Sequence, residues 1–88
     1  LAPRARRDIA AAVRAGRFPA VHDLDLAIAV VGGAALSLGH YLHAHPDRDD
    51  AEAVDQVTEG LLRMFGVPPA EAADICRRPL PELTRLPD

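Results

Sequence analysis

Apolar residues recur every three to four positions along most of this chain, and glycine and proline interrupt the pattern at intervals, which predicts helices joined by short turns. The first helix is predicted from about Pro3 to Ala15, because proline suits a helix start and Gly16 suits a stop. Arginines cover its opposite side, as on a solvated outer face. Its apolar face consists of Ala5, Ile9, Ala12 and Val13.

The second predicted helix is apolar on nearly every side. It begins after Asp23, which can cap it, and runs to about Ala44. One stripe along it consists of Leu24, Ile28, Val31, Ala35, Leu38 and Leu42. The other stripe is almost flat and consists of Ala29, Gly32, Gly33, Leu36 and Gly39. A helix of this kind is expected to be buried all round, so two different surfaces must cover it.

Three glycines within this helix require an explanation. Each costs about 1 kcal/mol relative to alanine in a helix interior. Small residues such as Ala29 and Gly33 allow two backbones to approach closely, which would offset that cost. The close crossing could lie within one subunit or between two subunits, and the sequence leaves both open.

Two further helices are predicted after the polar linker that contains Pro46. Asp49 and Glu52 have capping-box spacing, and the helix they begin runs from about residue 50 to Phe65 with one apolar face. Gly66 is expected to end it in the left-handed conformation, with Val67 folding back onto its last turn. A short fourth helix is predicted from Pro69 to Arg77, and Pro79 excludes helix from the residue before it. The predicted fold class is all-α, with three main helices and a short C-terminal one.

Composition narrows the possible functions. The net charge is −3, and although residues 1–17 hold five arginines and one aspartate, the chain as a whole gives no general case for nucleic-acid binding. A single cysteine, Cys76, excludes an internal disulfide and suits a reducing compartment, so a cytoplasmic location is expected. The first residue is Leu1, and we therefore expect the chain to be part of a longer or processed protein.

A signal peptide or membrane span is a further possibility, because an arginine-rich start precedes the apolar second helix. The uncharged run from Leu26 to Gly39 is shorter than the ~20 residues that a spanning helix needs. Asp23 and Asp25 precede that run, where a signal peptide would be basic. No membrane association is therefore expected.

No group of residues predicts catalysis. His40, His43 and His45 could suggest a metal site, but no acidic or cysteine ligand lies nearby at a recognisable spacing. Histidines near a helix C-terminus also interact well with its negative end. Cys76 lacks a local base and is interpreted as a small buried hydrophobe. We predict a protein that is not an enzyme, with no catalytic residues, metal ligands or cofactors.

The arrangement of the C-terminal half is similar to that of a known family. The segments "DLDLAIAVVGGAALSLG" and "EGLLRMFGVPPAEAADICRRPLPEL", within about residues 13–83, resemble the C-terminal end of TetR-family transcriptional regulators. The resemblance implies a repressor with an N-terminal helix-turn-helix that binds operator DNA and a helical domain that binds a small effector and dimerises. The whole chain, 1–88, would then be the C-terminal regulatory and dimerisation domain, without the DNA-binding module.

The resemblance also implies how the chain associates. Residues 24–43 and 51–65 would form an intermolecular four-helix bundle in a homodimer. A face that pairs with its own copy must be apolar and flat, as is the flat stripe of the second helix. The third helix would add apolar side chains beside it. The predicted dimer interface consists of Ala29, Gly32, Gly33, Leu36, Gly39, Val54, Val57, Leu61 and Phe65. The effector and its binding residues are unknown, and a free-standing helical protein-interaction module is the alternative function.

Overall fold

The computed structural model describes residues 3–78, which form four α-helices and no strand. The helices are α1 (Pro3–Arg14), α2 (Leu24–Ala44), α3 (Asp50–Met64) and α4 (Pro69–Arg77). The all-α prediction is confirmed for this part of the chain. α1 and α3 each end one residue earlier than predicted. The predicted break at Pro79 lies outside the described residues.

α2 begins at the predicted cap and is tied to α1 at its first turn. The Leu26 backbone N–H donates to Asp23 Oδ1 at 3.2 Å, which satisfies one of the amide groups that a helix start leaves free. Arg6 Nη2 forms an ion pair with Asp25 Oδ1 at 2.8 Å. Both side chains of this pair are largely exposed, so it contributes little to stability. α1 and α3 both contact α2.

α3 also begins at its predicted cap. The Glu52 backbone N–H donates to Asp49 Oδ1 at 3.1 Å. Replacing Asp49 with alanine removes this acceptor and should lower the free energy of unfolding by about 1 kcal/mol, as measured by urea denaturation at a fixed protein concentration. Asp47→Ala is the matched control, since Asp47 is an exposed aspartate in the preceding turn. Equal stability of the two variants would contradict the capping role.

The turn between α3 and α4 packs against the loop that follows α1. Gly66 adopts a φ of +102°, the left-handed conformation predicted for it. The Val67 N–H donates to the Leu62 carbonyl at 3.0 Å, so the chain folds back onto the last turn of α3 as expected. The Ala20 N–H donates to the Phe65 carbonyl at 2.9 Å, which joins the turn to the loop.

The interior of the described chain is small. The Phe65 ring packs on Phe18, with ring centroids 5.2 Å apart. The buried residues are Ala27, Ile28, Ala53, Phe65, Val67 and Ala72. Seven large apolar side chains in the described residues are instead 37% or more exposed: Leu26, Val30, Leu36, Tyr41, Val54, Met64 and Ile75. The large apolar side chains left at the surface outnumber those buried, and a single chain therefore leaves much of its apolar surface in water.

Candidate dimerisation surface

α2 packs on one side only. Its inward side includes the buried Ala27 and Ile28, with Leu24, Val31, Leu38 and Leu42 half-buried. Its opposite side, which we call the outer face, is exposed in the single chain. The outer face consists of Leu26, Ala29, Val30, Gly33, Leu36 and His40. The expectation that α2 is buried all round is therefore not met within one chain, because α1 and α3 cover one side alone.

The glycines of α2 have no close neighbour within residues 3–78. A Cβ atom placed on Gly32, Gly33 or Gly39 would meet no heavy atom within 4 Å, other than those of its own chain neighbours and helix backbone. A tight crossing within the subunit, the first of the two explanations for these glycines, is therefore not present in this part of the chain. Of the five residues in the predicted flat stripe, Ala29, Gly33, Leu36 and Gly39 are exposed and Gly32 is half-buried.

Met64, at the end of α3, extends this apolar surface. Leu26, Val30 and Met64 line one shallow hollow of about 280 Å³, together with residues of the loop before α2. They are 64%, 43% and 52% exposed. The predicted interface did not include these three residues. Leu26 and Val30 lie on the same side of the helix as Gly33, and their spacing in the sequence could have identified them as part of this surface.

The α3 residues of the predicted interface do not share one exposed surface in the single chain. Phe65 is 5% exposed and packs on Phe18 of the same chain, so it has almost no surface to offer a partner. Val57 and Leu61 are half-buried. Val54 is exposed but lines a separate groove with Cys76 of α4. Four residues that share one face in the sequence pattern thus meet different surroundings in the fold.

The three histidines near the end of α2 have different surroundings in the fold. Within residues 3–78 no group of three or more histidine, cysteine or acidic side chains could hold an ion. His40 and His43 line a hollow with Ala35, Leu36 and Gly39. His45 instead stacks on Tyr41, with ring centroids 4.2 Å apart, and its Nδ1 donates to the Tyr41 carbonyl at 2.8 Å. This bond satisfies one of the carbonyls that the helix end leaves free.

Cys76 is a half-buried thiol between α3 and α4. Its partial burial raises the pKa of the thiol, and the carboxylates of Asp55 and Glu59 raise it further. Both causes disfavour the thiolate, which is the nucleophilic form of cysteine. Cys76 is less buried than the small buried hydrophobe that the sequence predicted.

α2 is long and apolar enough to cross a membrane by length and composition. Its 21 residues include an 18-residue window with a mean hydropathy of 1.4, of which 11% is buried. The uncharged run from Leu26 to Gly39 is shorter than the helix itself, so that run alone underestimates the apolar length available. The exposed outer face must therefore be explained either by a partner or by lipid.

Comparison with known protein families decides the class of the domain. A family model described as "Tetracyclin repressor-like, C-terminal domain" matches residues 1–78, which is most of the chain. The chain belongs to this TetR-like family. The resemblance noted in the sequence is thereby confirmed, and the match extends to α1, which that resemblance had covered only in part. Neither curated proteins nor solved structures give a match.

Membership of the TetR-like family defines the function in general terms. Domains of this family are typically ligand-binding and dimerisation domains of transcriptional regulators, are generally not enzymes and belong to cytoplasmic proteins. The match covers all four helices, so the outer face of α2 belongs to the TetR-like domain itself.

Proposed function

We propose that this chain is the dimerisation and effector-binding domain of a cytoplasmic TetR-like repressor, and that two copies associate through the outer face of α2. The observation that supports the dimer is the exposure of that face, on which Leu36 is 69% exposed. Family membership supports the choice of a second copy as the occupant, because TetR-like C-terminal domains typically dimerise.

The shape of the outer face suits a second copy of itself. A twofold interface places the same patch on both partners, so the patch must be flat enough to meet its own copy. Ala29 and Gly33 lie four residues apart at the middle of the face, where a helix can approach closely. Leu36 and Leu26 supply apolar bulk on either side of them, and close packing would offset the helical cost of glycine.

The fold modifies which residues of α3 we assign to this interface. The four helices of the proposed bundle are α2 and α3 of each copy. Met64 enters it because it lies beside Leu26 and Val30 on one surface. Phe65 is left out because it is buried within the chain, and Val54 because it lines the groove on the α4 side.

In the proposed repressor, the dimer would hold two DNA-binding modules at a fixed separation. Operators read by helix-turn-helix dimers contain two half-sites about 34–36 Å apart, so the separation between modules determines whether both can bind. The DNA contacts would be made by an N-terminal module that this chain does not contain. A small-molecule effector would act by binding one arrangement of the two modules more tightly than another. The effector is not identified.

Two variants, one at a methionine and one at a valine, test the proposed interface. Met64→Gln should weaken the dimer by about 1–2 kcal/mol per site, which is the transfer free energy of a partly buried apolar side chain, and sedimentation equilibrium should detect the change. Val54→Gln, at a comparably exposed apolar residue of the same helix, should leave the dimer constant unchanged. The opposite result, with Val54 important and Met64 neutral, would place the interface on the α4 side of α3.

The free-standing interaction module remains the alternative, and the coding sequence upstream of Leu1 distinguishes the two. A basic helix-turn-helix of about a hundred residues in the same reading frame supports the repressor. A start codon next to Leu1 supports the module. Retention of the protein by membranes at high ionic strength would instead support lipid as the occupant of the outer face.

A further inference from the structure

His40 lies in the same line as the residues that form the middle of the outer face. Residues 29, 33, 36 and 40 are spaced by four, three and four positions, which places them on one side of a helix. His40 is exposed and lines a hollow whose other residues, including Leu36 and His43, all belong to α2. His40 thus places an ionisable side chain at the end of the apolar stripe, where the proposed interface would remove that side chain from water.

The charged groups near His40 are few. His43 is the other titratable side chain that lines this hollow. Asp25 lies in the first turn of α2 and is paired with Arg6. Tyr41, His45 and Arg48 contact one another at the end of α2 and do not line this hollow. Asp49 and Asp50 begin α3 and are likewise not part of its lining. Within the described chain, no carboxylate lines the hollow that His40 lines.

We propose that His40 makes the association of two chains dependent on pH, with the dimer favoured when the imidazole is neutral and weakened when it is protonated. This inference rests on the proposed dimer. A second copy packed on the outer face would bring Leu26 or His40 of its own α2 against His40, depending on the direction in which the helices cross. A second imidazolium would repel the first. Leu26 would desolvate the imidazolium, and the carboxylates beside Leu26 are already engaged within their own chain, Asp23 by the Leu26 N–H and Asp25 by Arg6, so both directions predict the same sign.

The direction of the pH effect follows from linkage. If the dimer requires neutral imidazole and the separate chains do not, the separate chains bind more protons. Association is then fully favourable above the range in which histidine titrates and is lost as the pH falls through that range. Histidine is the side chain whose ordinary titration lies between pH 5 and 8, so the change falls within conditions at which a folded chain can be measured.

The test is the dimer dissociation constant of the 88-residue chain at pH 8 and pH 5.5, measured by sedimentation equilibrium. If His40 of each chain must lose its proton for the dimer to form, we expect the constant to rise on the order of 100-fold at the lower pH. His40→Gln should dimerise at both pH values with less than about a threefold difference. His45→Gln is the matched control and should keep the full pH dependence, because its ring lies on Tyr41.

Circular dichroism at both pH values distinguishes dissociation from unfolding. A wild-type dimer whose constant does not change with pH, or a dimer that tightens in acid, would overturn the inference. Equal pH dependence in the wild type and in His40→Gln would overturn it as well. A chain that is monomeric at pH 8 would contradict the proposed dimer itself, so the two failures give different results.

Discussion

Replacing Gly66 with alanine is expected to destabilise the chain by about 3 kcal/mol or more, which is a large effect for a single added methyl group. Two costs combine at this residue. Its φ of +102° is one that residues with a side chain rarely adopt. The added Cβ would also lie 2.8 Å from the Ala20 backbone nitrogen and 2.8 Å from Pro19 Cγ. The turn and the loop could then no longer keep their hydrogen bond between Ala20 and Phe65.

Gly16→Ala separates the two costs. Gly16 also has a positive φ, +77°, but a Cβ there would meet nothing within 4 Å. We expect this variant to lose only about 1 kcal/mol, the cost of the backbone conformation. Urea denaturation followed by circular dichroism measures both variants. Similar losses for Gly16→Ala and Gly66→Ala would mean that the α3–α4 turn does not pack against Pro19 and Ala20.

Replacing Gly33 with leucine is expected to abolish or strongly weaken the dimer while leaving each chain folded. The space around Gly33 is open in the single chain, and leucine favours helix over glycine by about 0.8 kcal/mol, so the monomer should be as stable as before or more so. In the dimer, the added side chain would separate two helices that approach at this point. Overpacking of about 1–3 kcal/mol per site would be counted twice across the twofold axis.

Ala11→Leu is the control for this substitution, because it adds an apolar side chain at an exposed residue of α1, on a different helix from the outer face. Sedimentation velocity at several concentrations should show Gly33→Leu as a monomer and Ala11→Leu as wild type. In a repressor that contains this domain, Gly33→Leu should also lose operator binding, because the two half-sites would no longer be bound together. A stable dimer of Gly33→Leu would exclude the outer face as the interface.

Local sequence signals predicted the helices and turns well, because each depends on residues close together in the chain. Asp23 and Asp49 accept backbone hydrogen bonds at the two predicted helix starts. Gly66 has the predicted left-handed conformation. These features are determined by backbone geometry and by side chains within three or four residues, so they need no knowledge of the tertiary fold.

The surroundings of each helical face could not be predicted in the same way. Periodicity places Val54, Val57, Leu61 and Phe65 on one side of α3, but it does not indicate which neighbour covers each of them. Phe65 is buried because Phe18 reaches it from the α1–α2 loop, whereas Val54 lies near the start of α3 and remains exposed. Met64 could not be placed beside Leu26 without knowing how α3 packs on α2. Such long-range contacts decide which apolar residues remain available to a partner.

The mass of the wild-type chain in solution is the most direct test of the proposed dimer. Sedimentation equilibrium at pH 8, without detergent and across a range of protein concentrations, should give about twice the chain mass of 9.4 kDa. The same result should be obtained whether or not lipid vesicles are present, and the protein should remain with the soluble fraction. A mass of 9.4 kDa at every concentration, or association only with vesicles, would contradict dimerisation through the outer face of α2.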